Sequence, residues 1–171
     1  MLFRSDQWAD DLLERLRGNP NADRLFSAAS KLGDFSVIWH LITAARALGS
    51  ERARADALVF SALIGAESLI VNQGVKRLFR RVRPTTSGDD RYAVRTPSTS
   101  SFPSGHASAA AFAATLLCAR SPRWTHPLWI AIAAVVALSR AFVRIHHASD
   151  VVGGLATGLV LAAAARRIVR W

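Results

Sequence analysis

Five apolar segments, each closed by arginine, proline or glycine, dominate this chain and run over about 34–48, 55–75, 105–119, 127–143 and 150–165. None holds the uninterrupted ~20 apolar residues of a simple membrane-spanning helix. Several come close, and flanking arginines can reach the bilayer surface while neighbouring helices bury polar ends. Strand-like alternation and internal repeats are both lacking. The pattern predicts an all-α fold, a polytopic transmembrane helix bundle of about five spans. A large soluble helical core is the alternative. The 171 residues suit a single domain over 1–171, with no room for a second module.

An amphipathic N-terminal segment, residues 1–33, is expected before the bundle. Over 7–17 it sets Trp8, Leu12, Leu13 and Leu16 on one helical face and charges on the other, as in a helix lying in the membrane interface. A soluble surface helix would show the same pattern. Asn19-Pro20-Asn21 breaks this helix, and a second short amphipathic stretch runs to Gly33. No cleavable signal peptide is expected, because a basic start followed by an apolar core is lacking. Trp124, Trp129 and Trp171 would fall at one membrane face as an aromatic belt. Asp150, Gly154 and Gly158 recur every fourth residue, a surface on which another helix can pack closely. The polar, proline-rich stretch 84–103 reads as a loop bordering a site. The single cysteine, Cys118, sits in an Ala/Leu run and reads as a small buried apolar residue.

The formal charge of +10 comes mostly from arginine. Such a charge suits nucleic acid, anionic head groups or an anionic substrate. The arginines cluster rather than forming a basic stripe interleaved with aromatics, which argues against nucleic acid. Anionic head groups of a bilayer and an anionic substrate remain as expected partners; oligomeric state leaves no mark in the sequence.

Three clusters carry chemistry. Lys76 and Arg83 are two helical turns apart and project from one side of the second segment's end, while Pro84 turns the chain outward. Pro103-Ser104-Gly105-His106 opens an apolar helix, where a serine cap, a glycine and free N–H groups form an anion site with His106 beside it. In the third cluster, Arg140 offers a planar fork for phosphate oxygens, and His146 and Asp150 stack on one helix face. A carboxylate on one imidazole nitrogen fixes the tautomer and leaves the other nitrogen free to attack. If the helices alternate in direction, all three clusters meet at one face.

In their order and spacing, Lys76 to Arg83-Pro84, Pro103 to His106, and Ser139-Arg140 to His146 and Asp150 resemble the three-part signature of the type 2 phosphatidic acid phosphatase (PAP2) superfamily. That superfamily includes membrane lipid phosphatases, soluble bacterial acid phosphatases and vanadium haloperoxidases. The resemblance implies that His146 attacks phosphorus to form a phosphohistidine, with Asp150 orienting it. His106 would protonate the departing alkoxide and then activate water. Lys76, Arg83, Ser104, Gly105 and Arg140 would hold the phosphoryl oxygens. No metal and no cofactor are implied. Membrane members usually resemble six-helix bundles, so with about five spans the N-terminal topology departs from the pattern.

Outside the signature, His147 stands three residues from Asp150 and is not the expected nucleophile; His40 and His126 read as structural. Arg77, Arg80, Arg81 and Arg144 read as solvated or facing head groups, and Glu67 is a costly charge inside an apolar segment. The resulting expectation is a membrane phosphatase acting on phosphatidic acid, phosphatidylglycerol phosphate, a polyprenyl diphosphate or a polyprenyl-linked sugar phosphate such as decaprenylphosphoryl-phosphoribose. A non-catalytic lipid-phosphate binder or transporter, and a soluble acid phosphatase, are the rivals. The composition suggests a bacterial plasma-membrane protein. The active-site face would carry 14 of the 22 Lys and Arg, which leans towards the cytoplasm by the positive-inside tendency.

Overall fold

The computed structural model describes residues 4–84, 91–92, 94–95 and 97–169, and among these all regular structure is helical. The helices are α1 (Arg4–Glu14), α2 (Pro20–Gly33), α3 (Val37–Ala47), α4 (Glu51–Leu69), α5 (Gly105–Ala119), α6 (His126–Phe142) and α7 (Ala148–Ile168). A π-helical turn (Ile70–Gly74) and a 3₁₀ turn (Val75–Leu78) extend α4. Trp171 and much of the 84–103 loop lie outside the described residues.

Helix α5 is the hub, with ten side chains buried between Ala107 and Leu117. Its alanines leave room for close neighbours, and α7 uses that room. A Cβ on Gly154 or Gly158 would overlap the carbonyls of Ser104 or Ser108, so the expected small-residue stripe packs against the hub. Trp39, Phe60, Ile64, Phe112, Leu116 and Val136 fill the main core. Glu67 is 2% exposed and takes the Ser108 hydroxyl of α5 as its partner, which accounts for a polar group inside an apolar segment.

Three stretches are long and apolar enough to cross a membrane: Glu51–Leu78, Arg123–Phe142 and Ala148–Ile168. They leave large apolar side chains outward, including Leu58, Leu69, Ile130, Val152 and Val160. The other two expected spans fall short for different reasons. Helix α5 has 15 residues, a rise of about 22 Å, and is enclosed by its neighbours. Helix α3 has 11, a rise of about 16 Å, because a turn over Asp34–Ser36 consumes the start of its segment. In that turn Phe35 (φ 52°) and Ser36 (φ 60°) are both left-handed.

The aromatic belt also needs correcting. Trp124 is exposed, but Trp129 is buried, donating to Thr125 Oγ1 with Arg46 over its ring. Cys118 is only partly buried against the core.

Helix α1 turns its polar side inward. Trp8, Leu12 and Leu16 are exposed while Asp6 is 4% exposed. Asp6 accepts from the Ser149 amide (2.8 Å) and hydroxyl (2.9 Å) at the start of α7. Arg17 donates to Phe142 O (2.8 Å) and Ala141 O (3.1 Å), capping α6, and pairs with Asp10 and Glu14. Two arginines, Arg91 and Arg17, hold the Glu14 carboxyl down at about 2. Asn19 caps α2 through Asn21 N and Ala22 N.

Candidate active site

The end of α4, the start of α5, the end of α6 and the start of α7 meet at one end of the bundle, as the alternation of helices requires. Ser104 caps α5, accepting from Ala107 N, and its own amide donates to Asp150 O at 3.0 Å, so two helix starts are tied together. Lys76, Arg83, Ser104, Arg140, His146 and Asp150 are all buried here. A Cβ on Gly105 would sit 3.3 Å from Asn72 Oδ1 and 3.8 Å from Lys76 Nζ, so glycine lets the helix start lie close against both side chains.

Arg83 reaches the site by a route other than helical stacking. Regular helix stops at Leu78, and residues 79–83 have no regular structure, as Pro84 demands. The guanidinium is held by Thr99 O (3.1 Å), Ser100 O (3.3 Å) and Ile145 O (3.2 Å), and its Nη1 lies 3.1 Å from His146 Nε2. His146 precedes α7 rather than lying on it. Left-handed Arg144 (φ 56°) turns the chain after α6, and the amides of Ile145 (3.1 Å) and His146 (3.0 Å) return to Arg140 O. That turn sets the imidazole beside the arginine.

The His146 contacts fix its tautomer. A guanidinium can only donate, so Nε2 must offer Arg83 its lone pair, and the ring proton sits on Nδ1. Nδ1 faces Ser101 Oγ at 3.4 Å and Asp150 Oδ2 at 3.7 Å. Ser101 in turn donates to Asp150 Oδ2 at 2.5 Å, and the His147 amide donates to the same oxygen at 2.8 Å. Burial lowers the proton affinity of His146 to about 3; Asp150 opposes the fall, and Arg83, Arg140 and Lys76 deepen it. The ring is therefore neutral at neutral pH, with its Nε2 lone pair turned towards Arg83.

On the other side, His106 Nε2 lies 3.1 Å from Asp34 Oδ1 and 3.2 Å from Ser30 O. Both partners can only accept, so Nε2 bears a proton and Nδ1 faces elsewhere. Ser30 also takes a bond from Arg140 Nη1, while Arg140 Nε is buried with no partner among the described residues. Arg140 thus stands between the two histidines with an unmet donor.

Every residue expected at the site is therefore found at this end. The residues missed are those that hold them: Ser30, Asp34, Ser101, Asp6 and Arg81. Arg81 is not simply solvated. It bonds to Asp150 Oδ1 (2.6 Å), Asp6 Oδ2 (2.7 Å) and Ser149 Oγ (2.7 Å). Burial works to raise the Asp6 carboxyl, but the Ser149 bonds and Arg81 hold it below its ordinary value. One signal was available: in extended chain, residues 81 and 83 share a face. Arg144 likewise pairs with Asp10 and Glu14, each at 3.0 Å. His147, His40 and His126 have structural partners in Val82 O, Ser61 Oγ and Ser121 O.

A cavity of about 290 Å³ lies at the opposite end between Arg46, Asp56, Phe60 and Arg120. Only about 20 Å³ opens beside His146, under Asp6, Leu13 and Arg144. Chemistry rather than volume marks the site, because α1 and α2 cover it. Among the described residues no cluster of three or more His, Cys, Asp or Glu could hold a metal ion.

Buried cations around one histidine, with a second histidine and a helix start alongside, form an arrangement able to hold a phosphoryl group in an all-helical bundle. The chain belongs to the PAP2 superfamily, whose model matches residues 56–171. It is 33% identical over 142 residues to a decaprenylphosphoryl-5-phosphoribose phosphatase of Mycolicibacterium smegmatis, covering 81% of this chain and 74% of that protein. The protein of the same description from Mycobacterium tuberculosis is 35% identical over 78% of this chain and 73% of its own length. An undecaprenyl-diphosphatase of Sulfolobus acidocaldarius is 30% identical over 53% of this chain and 45% of its own length. In fold, the chain is similar to a transmembrane PAP2-type phosphatidylglycerolphosphate phosphatase of Bacillus subtilis, with a TM-score of 0.68 and 23% identity over 99% of this chain and 90% of that one. The chain is a phosphoric ester hydrolase of this superfamily.

Proposed function

We propose that the protein removes the terminal phosphate from a polyprenyl-linked sugar phosphate of the decaprenylphosphoryl-phosphoribose type, through a phosphohistidine on His146. The observation that carries this reading is the lone pair of His146 Nε2, set among Lys76, Arg83 and Arg140. Nε2 attacks phosphorus, the bond to the sugar oxygen breaks, and His106 Nδ1 gives that oxygen a proton. Water then attacks phosphorus, the P–N bond breaks, and His106 takes the water proton. Lys76, Arg83, Arg140, the Ser104 hydroxyl and the Gly105 amide hold the phosphoryl oxygens as charge builds. Asp150 and Ser101 keep the nucleophile in its tautomer. The two mycobacterial relatives favour the sugar phosphate over a diphosphate, since they match more of the chain than the undecaprenyl-diphosphatase does.

In this reading 1–171 is one membrane domain, with α4, α6 and α7 crossing the bilayer and α3 and α5 sharing their slab. Helix α1 lies in the interface, its outward Trp8, Leu12 and Leu16 among lipid and its charges on the protein. The excess of basic residues at the active-site end favours a cytoplasmic site. Phosphate release by detergent-solubilised protein from a panel of lipid phosphates tests the substrate, and labelled termini test the topology. The sugar phosphate is expected to lead the panel, vanadate to inhibit and chelators to have no effect. Faster release from a polyprenyl diphosphate or from phosphatidic acid overturns the substrate assignment.

A further inference from the structure

The contacts of His106 lead outside the three signature clusters, to the turn that ends α2. We infer that Asp34 is a positioning residue for the general acid–base His106, holding Nε2–H so that Nδ1 alone exchanges protons with the reacting oxygens; this rests on the phosphatase reading above.

Three independent contacts support it. Asp34 Oδ1 and Ser30 O, both acceptors, lie 3.1 and 3.2 Å from Nε2 and leave that nitrogen only a donor's role. A Cβ on Gly33 would overlap His106 Cδ2, so the turn lies against the ring edge and allows it no swing that way. The turn itself is bent at some cost, with two successive non-glycine residues left-handed at φ 52° and 60° immediately after Asp34. The same turn reaches Arg140 through Ser30 Oγ. The end of α2 and the turn after it thus reach both His106 and Arg140.

The chemistry explains why a carboxylate belongs there. A sugar alkoxide is a poor leaving group and must take a proton as the P–O bond breaks, so His106 has to be an imidazolium at that moment. Burial and then Arg140 act against that cation, and Asp34 offsets part of their effect. In the second half-reaction the water proton arrives on Nδ1 and the same carboxylate stabilises the imidazolium. Asp150 acts differently, orienting a neutral ring whose Nε2 must stay unprotonated to attack.

The test compares leaving groups. Wild type, Asp34→Asn and Asp34→Glu are assayed in detergent with a sugar or alkyl lipid phosphate, whose alkoxide needs a proton, and with p-nitrophenyl phosphate, whose phenolate does not. Asp34→Asn is expected to lower kcat on the alkyl ester roughly 10- to 100-fold, with KM within about 3-fold and a much smaller loss on the aryl ester. Asp34→Glu should recover part of the loss. Thermal midpoints monitor folding. Equal losses on both esters, a change in KM alone, or no change in an active enzyme overturns the role of Asp34. A wild-type protein that releases phosphate from neither ester overturns the phosphatase reading, and this inference with it.

Discussion

The two histidines are held in opposite ways. His146 is fixed from within the signature: its partners, the Arg83 guanidinium, the Ser101 hydroxyl and the Asp150 carboxylate, all lie between residues 76 and 150. His106 is fixed from outside it, by Asp34 and Ser30 on a turn some seventy residues upstream. Burial disfavours the charged form of both rings and each faces a carboxylate, but three cations act on the nucleophile and Arg140 alone acts on the acid–base group. One half of the site is built for a lone pair and the other for a proton. The difference shows that a signature spacing can encode an attacking group completely while leaving its acid partner to the rest of the fold.

The strongest test of this asymmetry is His146→Ala. It should reduce phosphate release by on the order of 10⁴-fold or more, because the group that forms the covalent intermediate is removed. The protein should still fold, since the Arg83 and Asp150 contacts to Ser101, Thr99 and Ser100 remain. Substantial residual turnover would move the nucleophile elsewhere. The variant also has a stability signature. Native His146 takes up its proton only near about 3, whereas an unfolded histidine does so near ~6.5. Between those values the unfolded chain binds the extra proton, so this ring costs stability as pH falls from ~6.5 towards 3. Without it, the acid-side decline in Tm should be shallower, as thermal scans across that window will measure.

A smaller effect separates attacking from orienting groups. Arg81 links Asp150 to Asp6, and so connects α1 to the nucleophile half. Arg81→Met should leave two buried carboxylates facing each other and lower kcat roughly 10- to 100-fold with KM little changed. Asp6→Asn, which leaves Arg81 on Asp150, should cost less, and the double variant should cost less than the two losses combined. Strict additivity would mean that α1 covers the site without supporting it.

Much of this was legible in the sequence, and the exceptions have physical causes. The apolar segments gave α4 to α7 to within a few residues, and the glycines at 154 and 158 gave the α5–α7 contact, because helical period and side-chain size are local properties. The three clusters converged because alternating helices leave them little choice. What was not legible depends on tertiary contact. Nothing about Asp34 marks it as a partner for His106 until α2 packs on α6. Trp129 and Glu67 were read by residue type alone, and the helix packing decided that the first faces the core and the second meets Ser108. Arg83 was placed on a helix that had already ended at Leu78, although Pro84 warned of it.

The smallest expected effect probes how the acid half is held. Ser36 adopts φ 60° and makes no side-chain cap bond to α3, so its left-handed backbone gains nothing from capping that helix. Relief of a left-handed L-residue is worth ~1–2 kcal/mol, and glycine's extra freedom in the unfolded chain takes back ~0.5–1. Ser36→Gly should therefore stabilise the fold by about 0.5–1 kcal/mol, read as a small rise in Tm. It should also lower kcat a few-fold on alkyl esters, because the relaxed turn no longer presses Asp34 against His106. The stretch bearing His146 has one left-handed residue, Arg144, anchored by Asp10 and Glu14, whereas the Asp34 turn has two in succession. If Ser36→Gly raises Tm and leaves kcat untouched, the bend serves only to connect α2 to α3, and His106 keeps its place through Asp34, Ser30 and Gly33 without it.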